Sequence, residues 1–174
     1  ELIRQGFDFT SDDGYRFNRY DSLGTSDDII RLFETLTSVK DSRNRHAVIT
    51  PVAVVANPNF DKIRESGFTK YFYEPIPETF KRYQGCEKSF NLWKEGISNR
   101  LFVPQFHGRE HLNVRIWMTA LSNGHKRTLK AFENGVWGIS TANDPEIKVE
   151  FQAAFDFTDP GDLVYHKEII DSGL

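Results

Sequence analysis

The chain of 174 residues is 39% apolar and 27% charged, with a net charge of −3, which fits one globular domain with a substantial core. No apolar run approaches the ~20 residues of a membrane-spanning helix, and the basic residues are interleaved with acids, so no excess meets nucleic-acid phosphates. Cys86 is the only cysteine, which excludes an internal disulfide and a cysteine-rich zinc site.

The first residues, "ELIRQG", resemble the end of a helix with a glycine stop. "FTSDDG" then places Asp12 and Asp13 in an acidic surface turn. In "TSDDIIRLFETLTSV", Ile29, Phe33, Leu36 and Val39 recur at helical spacing. Thr25 with Asp28 approximates a capping box, and Asp27-Asp28 suits the helix dipole. "HAVITPVAVVA" is a β-branched run that predicts a strand buried on both faces, with Pro51 marking a bulge or an edge. His46, just before it, is assigned a structural role. "NPNFDKIRESG" predicts a turn at Asn57-Pro58 and a short helix stopped by Gly67, and "FTKYFY" a strand.

Two helices follow, "PETFKRYQG" with proline at its start and glycine at its end, and "KSFNLWKEG" with Phe90 and Trp93 on one face. "LFVPQF" is a short strand. From Asn113, a natural cap, Val114, Trp117, Met118 and Leu121 predict a helix that ends at Asn123-Gly124. "HKRTLKAFENG" predicts another helix, "VWGIS" a short strand, and "DPGDLVYHKEIIDSG" a closing helix that stops at Gly173. Trp93, Trp117 and Trp137 sit on apolar patterns and are assigned to the core. The aromatics of "YFYEPIPETFKRY" are also assigned to the core, and Glu74 within it to the surface. His125 and His166 are expected to face solvent. The chain begins without methionine and ends directly after a helical pattern, so one α/β domain over 1–174, cut from a longer protein at both ends, is expected.

Strands alternating with helices imply βα units and a mainly parallel sheet or barrel. Sites in such folds lie at the carboxyl ends of strands, and "LFVPQFHGREHLNV" occupies such a place. His107 and His111, four residues apart, can meet one zinc or similar divalent ion. The alternative is that one histidine caps the loop and the other packs on Trp117. Arg109, Glu110 and Asn113 beside the pair favour a functional site. The same letters spell His-x-x-Glu-His, an inverted zincin motif in which the glutamate is the general base. That motif needs a helix, which Pro104 and Gly108 disfavour.

"YRFNRYDSLGTSDDIIRLFETLTSVKD", "AVIT" with "VVANPNFDKIRESGF", "YFYEPIPETFKRY", "LWKEGI" and "FVPQFHGREHLNVRIWMTAL", above all its "PQFHGREHLNV", resemble a subgroup of the polysaccharide deacetylase superfamily. The resemblance runs to about Ser140. It implies a partial, distorted (β/α) barrel, and a metal-dependent hydrolase that removes acetyl groups from a carbohydrate. His107 and His111 would be two ligands of a divalent metal, expected to be zinc, with Arg109 and Glu110 orienting them. An aspartate pair, supplying the base and a third ligand, would precede Glu1, so this segment would carry half of the site. The other readings are a zinc peptidase using His107, Glu110 and His111, and a catalytically inactive carbohydrate-binding relative.

Overall fold

The Thr25 side chain accepts from the Asp28 N–H, and the Asp28 carboxylate accepts from the Thr25 N–H at 3.0 Å, closing the capping box that the sequence predicts. The Thr25 hydroxyl and then its N–H stabilise the charged form of Asp28 and hold its carboxyl below the usual range. Beyond a short 3-10 turn at Ile3–Gln5, the helices are α1 (Ser26–Ser38), α2 (Phe60–Glu65), α3 (Ile76–Arg82), α4 (Ser89–Ser98), α5 (Val114–Ser122), α6 (Lys126–Glu133) and α7 (Asp162–Gly173). The strands are β1 (Val52–Val54), β2 (Ala56–Pro58), β3 (Tyr73–Pro75) and β4 (Gln105–Gly108).

The structure, a computed structural model, describes residues 3–7, 23–141 and 144–174. The fold is mixed α/β. Among the described residues β1 pairs with β4 and β2 with β3, and no barrel is closed. The chain forms two compact units. A β unit comprises Ser22–Asn57 and Glu74–Gly108, and a helical unit comprises Glu1–Asp21, Pro58–Tyr73 and Arg109–Leu174.

In the β unit, Ile29, Phe33 and Leu36 of α1 meet Leu101, Phe102 and Trp93 in one apolar cluster. The run "HAVITPVAVVA" is not the doubly buried strand that its composition predicts. It breaks into β1 and β2, and Val48 and Val52 are 53% and 67% exposed. Pro51 gives the reason: its carbonyl accepts from Gln105 N–H, but it has no N–H to return, so a rung of the parallel ladder is missing. Among the described residues β1 also has β4 as its only strand neighbour, and a two-stranded ribbon leaves its faces open.

Helix α4 passes through Gly96, which the sequence predicts as its end, and stops at Ser98. Gly96 is there for space. A Cβ would come within 2.7 Å of Phe102 and 3.0 Å of Phe33, rings that already stack edge-on at 5.2 Å. Alanine in an open helix gains about 1 kcal/mol over glycine, but wedging a methyl between packed rings costs about 1–3 kcal/mol. Gly96→Ala is therefore expected to destabilise the β unit, which chemical denaturation checks; a gain in stability would show that the rings yield freely.

The core of the helical unit gathers Ile63, Leu112, Trp117, Leu121, Phe132 and Phe151. Trp117 stacks on Phe60, Phe132 and Tyr71. Four expectations change here. "FTKYFY" becomes extended only at Tyr73, because Gly67 and Phe68 both keep positive φ (63° and 62°) and prolong the turn. "VWGIS" forms no strand, since Ile139 N–H bonds the Trp137 carbonyl in a tight turn. His125 does not face solvent: it is the cap of α6, with Nδ1 accepting from Thr128 N–H and Nε2 3.1 Å from Asp144. His166 is buried, because Asp162, His166 and Ile169 recur at helical spacing and form the inner stripe of α7.

Candidate functional site

Strand β4 leads into the histidine motif. In its register, Ala53 pairs with Phe106 and Val54 with Gly108, so the ladder skips His107. His107 is thus the extra residue of a bulge, a feature that re-aims a side chain, and it is exposed. Gly108 follows at φ 128°, a backbone state that side-chain-bearing residues rarely adopt. Its carbonyl still accepts from Val55 N–H at 3.3 Å, so the irregularity is confined to one residue.

The next two residues turn inward. Arg109 and Glu110 are buried, with side chains 8% and 1% exposed. Arg109 donates from Nε to Glu110 Oε2 at 2.6 Å and from Nη2 to Oε1 at 2.5 Å, a bidentate fork. Its third nitrogen, Nη1, donates to Ser172 Oγ at 2.7 Å. The guanidinium carbon lies 4.4 Å from the Tyr73 ring centre and 5.4 Å from that of Tyr71, within cation–π range. Burial opposes the charge of Arg109, but the hydrogen bonds and charge of Glu110 outweigh it and hold the guanidinium above its ordinary pKa. Burial, reinforced by the Glu110 carboxylate, pushes the Tyr71 phenol far above its usual range, so it stays neutral.

His111 is exposed again, while Leu112 and Asn113 are buried. Asn113 ties down the far end of the motif. Its Oδ1 accepts from Ile116 N–H to cap α5, and its Nδ2 donates to the carbonyls of Ala153 and Asp156. Its own N–H donates to Phe151 at 2.7 Å. Along the sequence the motif therefore runs from an exposed His107 through a buried ion pair to an exposed His111. His107 is the penultimate residue of its stretch of the β unit, and His111 belongs to the helical unit.

A second buried polar group lies in the β unit. Glu74, expected at the surface, is buried and pairs with Arg82 at 2.5 Å. It also accepts from Thr79 Oγ1 at 3.2 Å, and Asn57 Nδ2 donates to the same hydroxyl at 3.3 Å. Asn57 lies within β2 and Glu74 within β3. Each carboxylate oxygen has a partner, so the network reads as a structural tie between β3 and α3.

No protein-family model, curated protein or solved structure matches the chain. Among the described residues no group of three or more His, Cys, Asp or Glu side chains is placed to hold a metal. Asp12 and Asp13 lie outside the described residues. The site residues that sequence reasoning missed are Tyr71, Tyr73 and Ser172. The two tyrosines stood in an aromatic run assigned to the core, and Ser172 carried no signal at all, being 63 residues from the arginine it meets.

Proposed function

We propose that this segment belongs to a metal-dependent hydrolase that removes acetyl groups from a carbohydrate, of the polysaccharide deacetylase type, with His107 and His111 as two of the metal ligands. In that reading the parallel β1–β4 pair is part of a distorted (β/α) barrel. The observation that carries the proposal is the make-up of the motif: two exposed histidines that flank a buried Arg109–Glu110 pair in the sequence, the first on a bulge at the carboxyl end of a parallel strand. Loops in that position carry chemistry in βα folds, and a histidine ligand is ordinarily oriented by groups behind it.

A bound divalent ion, with zinc expected, would polarise the acetyl carbonyl and lower the pKa of a water molecule. The chain's own part is to aim the two imidazoles and to keep the loop between them from collapsing. In that reading a third donor and a carboxylate base lie outside the described residues.

The peptidase alternative loses its premise. It needs His107, Glu110 and His111 on one helix, whereas His107 lies in β4. It also needs Glu110 as a base facing a water molecule, whereas both of its oxygens are engaged by Arg109 in the interior.

The test uses the full-length protein. Cobalt(II) titration, zinc content and acetate release from an N-acetylated oligosaccharide are measured for the wild type, His107→Ala and His111→Ala. Stoichiometric metal that is lost in each variant, together with metal-dependent acetate release, is expected. Metal retained in both variants, or none in the wild type, would reject the hydrolase; metal binding without acetate release would leave the inactive relative as the better reading.

A further inference from the structure

We propose that α7 is a latch for the histidine motif, with Ser172 as a positioning residue that holds Arg109 and, through it, Glu110 and His111. The latch is a property of the helical unit alone; its effect on metal affinity rests on the function proposed above. Three observations meet at Ser172. Its hydroxyl donates to the Ile169 carbonyl at 3.0 Å, which leaves the oxygen lone pairs to accept Arg109 Nη1 at 2.7 Å. It lies in the last turn of a 12-residue helix, where partly unpaired carbonyls favour a nearby cation. And Arg109 has no slack: Nε and Nη2 are fixed by Glu110, and Tyr73 and Tyr71 face the guanidinium.

The helix is itself held at both ends. Near its start the buried Asp162 pairs with Arg115 of α5. Near its end Ser172 takes Arg109, and between them His166 and Ile169 are buried. Helix α7 thus bridges Arg109 and Arg115, which bracket the Leu112–Asn113 anchor in the sequence. A planar fork with each of its nitrogens committed transmits orientation, because no rotamer change can keep all three hydrogen bonds. His111 follows Glu110 directly, so the backbone that carries its imidazole continues from this pair.

The experiment compares the full-length wild type with Ser172→Ala, Ser172→Thr and Arg109→Lys, first without metal. Amide hydrogen exchange at Glu110, His111 and Leu112 is expected to quicken on the order of tenfold in Ser172→Ala, with Ala131 and Phe132 in the core unchanged. Ser172→Thr keeps the hydroxyl and should restore slow exchange. Arg109→Lys keeps the charge but cannot reach Glu110 and Ser172 together, and should behave like Ser172→Ala. Cobalt(II) affinity is expected to fall on the order of tenfold in the same variants. Unchanged exchange at 110–112 in both Ser172→Ala and Arg109→Lys overturns the latch, whatever the metal result. Quickened exchange in a protein that binds no cobalt supports the latch and rejects the hydrolase.

Discussion

Glu110→Ala is expected to destabilise the helical unit by about 3–5 kcal/mol, because it leaves the Arg109 guanidinium buried without a counter-charge. Tyr71 and Tyr73 offer ring faces and Ser172 a neutral hydroxyl, which together replace little of a bidentate carboxylate. The size of the effect comes from stranding a charge and is not the net worth of the pair. An intact buried pair roughly balances its Coulombic attraction against the cost of removing both ions from water. The double variant Arg109→Met with Glu110→Leu should therefore regain most of the loss while binding metal no better than the single variant. Urea denaturation of both checks this, with a shift in midpoint at constant slope reporting stability alone. A single variant that costs less than about 1 kcal/mol would mean that water reaches the pair and that it behaves as a surface bridge.

Trp117→Ala should cost a similar amount, about 3–5 kcal/mol, for a different reason. The indole is fully buried and contacts Phe60, Tyr71 and Phe132, so truncation opens a large cavity among rigid rings. Trp117→Phe separates packing from polarity. The indole Nε1 is buried with no hydrogen-bond partner among the described residues, and an unpaired buried donor costs about 1–3 kcal/mol. Exchanging indole for phenyl loses contact area but relieves that cost, so the loss should be less than half that of alanine. Amide exchange at Ala131 and Phe132, read alongside denaturation, reports the helical unit directly. Equal losses for the two variants would show that Nε1 does find a partner.

Much of the local structure was legible because it depends on near neighbours. The Thr25 and Asn113 caps and the Pro77 helix start involve bonds or backbone angles within a few residues. The helix of α1 follows from its apolar spacing in the same way. The histidine motif was visible as letters, and its strand-to-helix setting followed from Pro104, Gly108 and Asn113.

What needed the folded chain is whatever depends on partners far away in sequence. Gly96 looked like a helix stop, and only the rings of Phe33 and Phe102 show it to be a place where two elements approach closely. Val48 and Val52 looked buried because their composition is that of a central strand, yet burial requires neighbouring strands and covering helices that composition does not name. Glu74 and His166 looked like surface residues because charged and polar side chains usually are; each is buried by packing against its surroundings.

The motif shows the same division. The sequence by itself determined that His107 and His111 flank an arginine and a glutamate near the end of a strand, because residue order and local propensity are one-dimensional. Tertiary structure alone decided that the histidines are exposed and the ion pair buried. The bulge against Ala53 and Val54, the rings of Tyr71 and Tyr73, and Ser172 in the closing helix are brought to the motif only when apolar burial folds the chain.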